Sequence, residues 1–90
     1  MVLLDLIGRR WTLRILWELR AEALTSRALR EACDRASPTV LQSRLSELRE
    51  AGFITLVEGS GYELTPSGKT LLAMFEPLNN FANRWARARP

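Results

Sequence analysis

Apolar positions recur every three or four residues through most of the chain, and only between Phe53 and Leu64 do they give way to a short run of β-formers. Leu3, Leu4 and Ile7 share one helical face, which Gly8, Arg9 and Arg10 interrupt before a second periodic run opens at Trp11. Two short helices, or one kinked helix, are expected there. From Trp11 to Leu19 the set Trp11, Leu13, Ile15, Leu16, Trp17 and Leu19 is too dense for a one-sided surface helix, which predicts a central helix buried on more than one side. Ala23, Leu24 and Thr25 read as a very short extended connection. Ser26 is placed to cap a helix running through Ala28, Leu29 and Ala32 to Cys33, and Asp34 to Ala36 reads as a tight turn.

Ser37-Pro38 is a strong helix start, because the serine oxygen accepts an orphan amide bond and a proline at the first helical position gives up no needed donor. Gly52 ends that helix, since it takes the left-handed cap that a side chain would penalise and leaves Phe53 free to pack back on Leu48. Phe53 to Val57, a turn at Glu58-Gly59-Ser60-Gly61 and a return from Tyr62 to Leu64 make a β-hairpin. Thr65-Pro66 repeats the capping pattern and opens a last helix that runs toward Arg87. The order short strand, helix, tight turn, helix, hairpin predicts a mainly α fold with a small β-hairpin (α+β). It is a single winged helix-turn-helix domain with N- and C-terminal dimerisation helices. The helix-turn-helix is expected over about 26–51, the wing over about 53–65 and the C-terminal helix over about 66–87.

That arrangement suits DNA: a helix fits the major groove, its N-terminal residues reach base edges, and the hairpin touches flanking phosphate or minor groove. On a wheel of about 100° per residue, Leu41, Leu45 and Leu48 share one side of helix 38–51, and Thr39, Gln42, Ser43 and Ser46 the other. These four are the candidate base-reading residues, with Gln42 suited to a bidentate contact with adenine. Ser26, Arg27, Ser37, Arg44 and Arg49 are the candidate phosphate contacts, and Gly59, Ser60 and Gly61 are the candidate wing residues. A polar helix face is also what any solvated amphipathic helix shows, and the flanking elements are what favour the groove.

In the last helix Leu71, Met74, Phe75, Leu78, Phe81, Ala82 and Trp85 recur at near-heptad spacing, and a chain this short offers little to cover them. A homodimer is therefore expected, with Leu3, Leu4, Ile7, Leu71, Met74, Phe75, Leu78, Phe81 and Trp85 at its interface; packing wholly onto the same domain is the alternative. Trp11 and Trp17 are expected in the core. A small aromatic effector is expected near the dimer seam.

Composition narrows the chemistry. With 90 residues, 47% of them hydrophobic and 26% charged, the chain holds one core and no separate substrate domain. It has no histidine and one cysteine, so a Ser/His triad, a Cys/His dyad, a zinc finger and a disulfide framework are excluded by counting. No enzymatic activity, cofactor or metal is expected. Cys33 reads as a small hydrophobe, or as a redox-responsive thiol if Arg30 and Arg35 lower its pKa. Nothing approaches the roughly 18 apolar residues of a membrane span, and the start lacks a basic signal region, so a cytoplasmic protein is expected. The net charge of +3 is mild, but Arg9 to Arg35 holds seven arginines against four acids, and no acid follows Glu76. Such a balance fits an anionic polymer as partner; solvated surface arginines account for it equally well.

Leu6-Ile7-Gly8-Arg9-Arg10-Trp11-Thr12-Leu13-Arg14-Ile15-Leu16 resembles the opening signature of the HxlR-type transcriptional regulators. Three more segments agree in order: Ser37 to Leu48 is similar to that family's recognition helix, Glu50-Ala51-Gly52-Phe53-Ile54 to its exit into the wing, and Tyr62 to Gly68 to the return strand and next helix. The MarR type is the nearest competitor. The resemblance implies a dimeric winged-helix protein that binds double-stranded DNA and regulates nearby genes, in some members in response to small molecules or electrophiles. Two departures stand out. Members commonly carry a cysteine just before the first signature, and here only Cys33 could substitute. The wing has Glu58 and no Lys or Arg between Phe53 and Gly68, which shifts base reading onto helix 38–51. A winged-helix module that contacts another protein is the rival reading, favoured by the acidic wing; the arginine placement favours DNA.

Overall fold

The computed structural model describes residues 2–34 and 36–89, which form five helices and one small two-stranded sheet. The helices are α1 (Val2–Ile7), α2 (Thr12–Glu18), α3 (Ser26–Ala32), α4 (Pro38–Glu50) and α5 (Pro66–Ala88), with β1 (Ile54–Val57) and β2 (Gly61–Leu64) between the last two. Among the described residues the largest fully buried apolar side chains are Ile15 and Leu16 of α2, Leu29 of α3, and Leu41, Leu45 and Leu48 of α4. They form one core, closed by Ile54, Tyr62 and Leu64 of the hairpin and by Leu71 and Leu72 of α5. This is the mainly helical winged helix-turn-helix architecture read from the sequence.

The caps explain the boundaries. Ser37 Oγ accepts from the Val40 amide at 3.1 Å with Pro38 in the first turn, so α4 starts where the Ser-Pro pair dictates. At its other end Gly52 sits at φ +85°, and the Phe53 amide turns back to donate to the Leu48 carbonyl at 3.0 Å, closing the helix in a Schellman turn. Thr65 Oγ1 accepts from the Gly68 amide and donates to the Gly52 carbonyl at 2.6 Å, which ties the start of α5 to the end of α4. The cap of α3 differs from the expectation: Thr25, not Ser26, accepts the amide bond, from Ala28 at 3.1 Å, and Ser26 is the first helical residue. Both residues can cap, and the extended backbone of Thr25 decides it.

Trp11 also moves. It stands before α2 in the left-handed conformation at φ +77°, which costs about 1–2 kcal/mol for a residue with a side chain. Half-burial of the indole against the core, with the Arg10 guanidinium 5.4 Å from the ring centre, offsets that cost. α2 is one-sided at its surface end, contrary to the expectation: Ile15, Leu16 and the following Leu19 are buried, but Trp17 is 39% exposed. In α1 the buried residue is Leu6, whereas Leu3 and Leu4 are exposed.

The hairpin pairs Ile54 with Leu64 and Val57 with Gly61. The extended connection at Leu24 joins it: Leu24 and Tyr62 exchange amide bonds of 2.9 and 2.8 Å. Gly61 is therefore part of this joint as well as of the wing. Its φ is +104°, and a Cβ there would lie 2.5 Å from the Leu24 carbonyl oxygen. Gly61→Ala should lower stability by about 1–3 kcal/mol in urea unfolding, because both strain and the lost Leu24–Tyr62 bonds act against it. Ser60→Ala at the exposed tip should stay within about 0.5 kcal/mol. Equal midpoints for the two variants would show that the joint contributes nothing.

The start of α5 packs on the body, where Gly68, Leu71 and Leu72 are its buried residues. Leu71 was expected at the dimer seam and is instead 8% exposed, because the start of α5 lies over the shared core. Phe75 and Ile7 are likewise half-buried against that core. Beyond Pro77 the helix projects, which accounts for a molecule 46 Å long and only 26 by 25 Å across.

Candidate nucleic-acid interface

α4 is fixed by Leu41, Leu45 and Leu48, so the opposite face cannot rotate inward. Thr39, Gln42, Ser43 and Ser46 are all exposed and line one open concavity on that face. Four small or amide side chains without a formal charge let another molecule's polar edges approach closely, and each offers both hydrogen-bond donors and acceptors.

The cations around this face are unequal. Arg44 was expected to stand free beside it; instead its side chain is 17% exposed, donates from Nε to the Arg10 carbonyl at 3.2 Å and pairs with Glu47. It binds α4 to the turn after α1, which leaves its guanidinium mostly covered. Arg49 is exposed. Arg27 is 83% exposed and only 3.8 Å from Glu31, an ion pair too solvated to hold it. Ser26 is exposed at the first turn of α3, and Ser37 is exposed although its oxygen is already committed to the cap. Gly59 and Ser60 form the exposed turn of the wing beside Glu58.

One residue that the sequence reading passed over joins the face. Arg9 lines the same concavity and lies 3.0 Å from Glu47 with half its side chain exposed. The only sequence signal was its place in the break between two helices, where loop residues are free to serve function; that the break leans on α4 is a tertiary fact.

A second concavity of about 470 Å³ opens between α2 and the middle of α5, lined by Leu13, Trp17, Leu72, Phe75 and Leu78 with Arg14, Glu76 and Asn79 at its edge. Trp17, expected in the core, is a wall of this groove, and the Arg20 guanidinium stacks 3.8 Å from its ring centre. Cys33 lies elsewhere, 1% exposed. Burial pushes its thiol above the ordinary value, and the charge that opposes this is Arg14, bonded to the Ala32 carbonyl at 2.9 Å, not Arg30. Arg35, the other expected cation, lies outside the described residues. Burial of this thiol in the core fits the reading of Cys33 as a small hydrophobe. No described helix is long and apolar enough to cross a membrane.

The family model for the HxlR-like helix-turn-helix matches residues 6–90. The chain belongs to the HxlR-like helix-turn-helix family. Its place among transcription regulators that bind DNA through a helix-turn-helix follows from that membership. Three solved structures agree in fold. Quinone-bound YodB from B. subtilis superposes with a TM-score of 0.84 at 25% identity over 92% of each chain. A possible HxlR family transcriptional factor from Thermoplasma volcanium GSS1 superposes with a TM-score of 0.84 at 24% identity, over 94% of this chain and 82% of that one. The reduced form of YodB gives 0.82 at 22% identity, over 99% and 93%. No curated protein matches the chain. In this HxlR-like chain the matched span takes in every element that builds the α4 face, including the Arg9 turn.

Proposed function

We propose that the protein is a homodimeric, sequence-specific transcription regulator that lays α4 in the major groove of a pseudo-palindromic site. The observation that carries this reading is the uncharged, exposed face of Thr39, Gln42, Ser43 and Ser46, held rigid by three fully buried leucines on the other side of the same helix. Gln42 and Ser43 read base edges, and Arg27 and Arg49 contact phosphate. The projecting half of α5 supports the dimer: Met74, Leu78, Phe81 and Trp85 are 53–68% exposed along one helix that has left its own core. Leu3 and Leu4 add exposed apolar area from α1.

The groove between α2 and α5 is the place for a small aromatic effector, a reading supported by its apolar lining and by the quinone in the YodB structure. The acidic, lysine-free wing is the observation that favours a protein-interaction module instead. Selection from a randomised duplex pool decides between them. An imperfect palindrome with half-sites about 10–10.5 base pairs apart should be enriched, with affinity falling steeply as salt rises. Repeating the titration with a simple quinone should change both tryptophan fluorescence and DNA affinity. No enrichment at low salt would hand the α4 face to a protein partner, and a quinone without effect would make the protein a constitutive binder.

A further inference from the structure

We infer that Arg9, outside the helix-turn-helix, is part of the nucleic-acid interface, where its guanidinium holds a backbone phosphate beside the groove that α4 enters. The inference rests on the DNA-binding reading above and adds to it a contact from the turn between α1 and α2.

Two separate ties press that turn onto α4. The Arg44 side chain donates to the Arg10 carbonyl at 3.2 Å, and Glu47 takes the Arg9 guanidinium at 3.0 Å. The left-handed Trp11 reverses the chain directly after them, so Arg9 and Arg10 stand outward while the indole turns in. Arg9 shares its concavity with Thr39, Gln42 and Ser43, the residues nearest the start of α4 that would meet base edges.

Charge makes the assignment specific. The lining of the concavity holds two cations, Arg9 and Arg44, and one acid, Glu47, which leaves one positive charge over. Arg44 is mostly covered, at 17% side-chain exposure, whereas Arg9 is at 50%, so the surplus is presented to solvent through Arg9. A half-exposed ion pair is weak, and a phosphate can share or replace the carboxylate at little cost. The planar guanidinium retains further N–H donors for a bidentate phosphate contact. Glu47 thus positions Arg9 and also opposes the approach of DNA.

The two roles available to Arg9 predict opposite signs for its partner. If Arg9 grips phosphate, Arg9→Ala weakens every duplex alike, by on the order of tenfold at 50 mM salt, and reduces the slope of log affinity against log salt by about 0.9. Glu47→Gln then binds as tightly as the unaltered protein or more tightly. If Arg9 only braces α4 through Glu47, the two variants fall together. Fluorescence anisotropy of the full-length protein on its enriched duplex and on a scrambled duplex reads both, with circular dichroism to check that each variant is folded. Arg9→Lys should recover most of the salt slope, and Arg20→Ala, which removes an equal charge stacked on Trp17, should leave affinity within about twofold. Parallel losses in Arg9→Ala and Glu47→Gln, an unchanged slope, or an equal loss in Arg20→Ala would each overturn the inference. Failure of the unaltered protein to bind any duplex would remove the DNA-binding reading itself, a result distinct from these.

Discussion

Phe81→Glu combined with Trp85→Glu should yield a folded monomer of about 10 kDa that sediments at half the mass of the unaltered protein and binds its palindrome two to four orders of magnitude more weakly. Phe81 and Trp85 are 55% and 53% exposed on the part of α5 that has left the domain body. Covering those rings against a second copy removes on the order of 100 Å² of each from water, about 2–3 kcal/mol per ring. Glutamates at both positions forfeit that gain and set carboxylates from the two protomers facing each other in the seam, which adds desolvation and like-charge repulsion. The core is untouched, because Leu71 and Leu72 are the α5 residues that close it. Far-UV circular dichroism and the urea midpoint of the monomer should therefore show the winged-helix body intact. The affinity falls because two linked half-site contacts become one, and the lost effective concentration is worth about 10²–10⁴. A mutant that still sediments as a dimer would place the interface elsewhere, and an unaltered protein that stays monomeric at high concentration would remove the two-fold symmetric site.

Most of the fold was legible because its boundaries are local. Ser37-Pro38, Gly52 and Thr65-Pro66 fix where α4 and α5 begin and where α4 stops, and each acts through hydrogen bonds within a few residues of itself. The period of Leu41, Leu45 and Leu48 was enough to orient α4, since a helix with one apolar side has only one way to face a core. Legibility ended where a residue's surroundings come from distant parts of the chain. Arg44 looked like a surface cation because its partner, the Arg10 carbonyl, is 34 residues away. Leu71 looked like the first residue of the seam because the repeat that continues to Trp85 carries no mark of where α5 leaves the body. Trp17 and Leu24 have the same explanation: the exposure of one depends on the path of α5, and the pairing of the other on Tyr62. Arg9 was missed for the converse reason, since a helix break gives no direction.

Ser43→Glu should abolish binding to every duplex, with a loss of at least about a hundredfold that no choice of sequence restores. Ser43 is exposed on the outer face of α4 beside Gln42, and a carboxylate there would meet the phosphates lining the groove and compete with them for Arg9, the exposed cation of the same concavity. Arg44, its nearest neighbour in sequence, is already shared between Glu47 and the Arg10 carbonyl, so it cannot turn to pair with the new charge. Like-charge contact at a closely fitting polar interface costs several kcal/mol, and the fold has no reason to respond, because the position touches nothing buried. Gln42→Ala makes the contrasting case. It deletes one donor–acceptor pair suited to adenine, so it should cost about 1–3 kcal/mol on the best site, far less on scrambled sequence, and leave the salt slope unchanged. Arg49→Ala should do the reverse, weakening all duplexes alike and flattening the slope by about one unit. The three variants separate repulsion, base reading and phosphate contact on a single helix. If Ser43→Glu binds as well as the unaltered protein, or if Gln42→Ala and Arg49→Ala lose affinity in the same pattern, the outer face of α4 is not what reads the site.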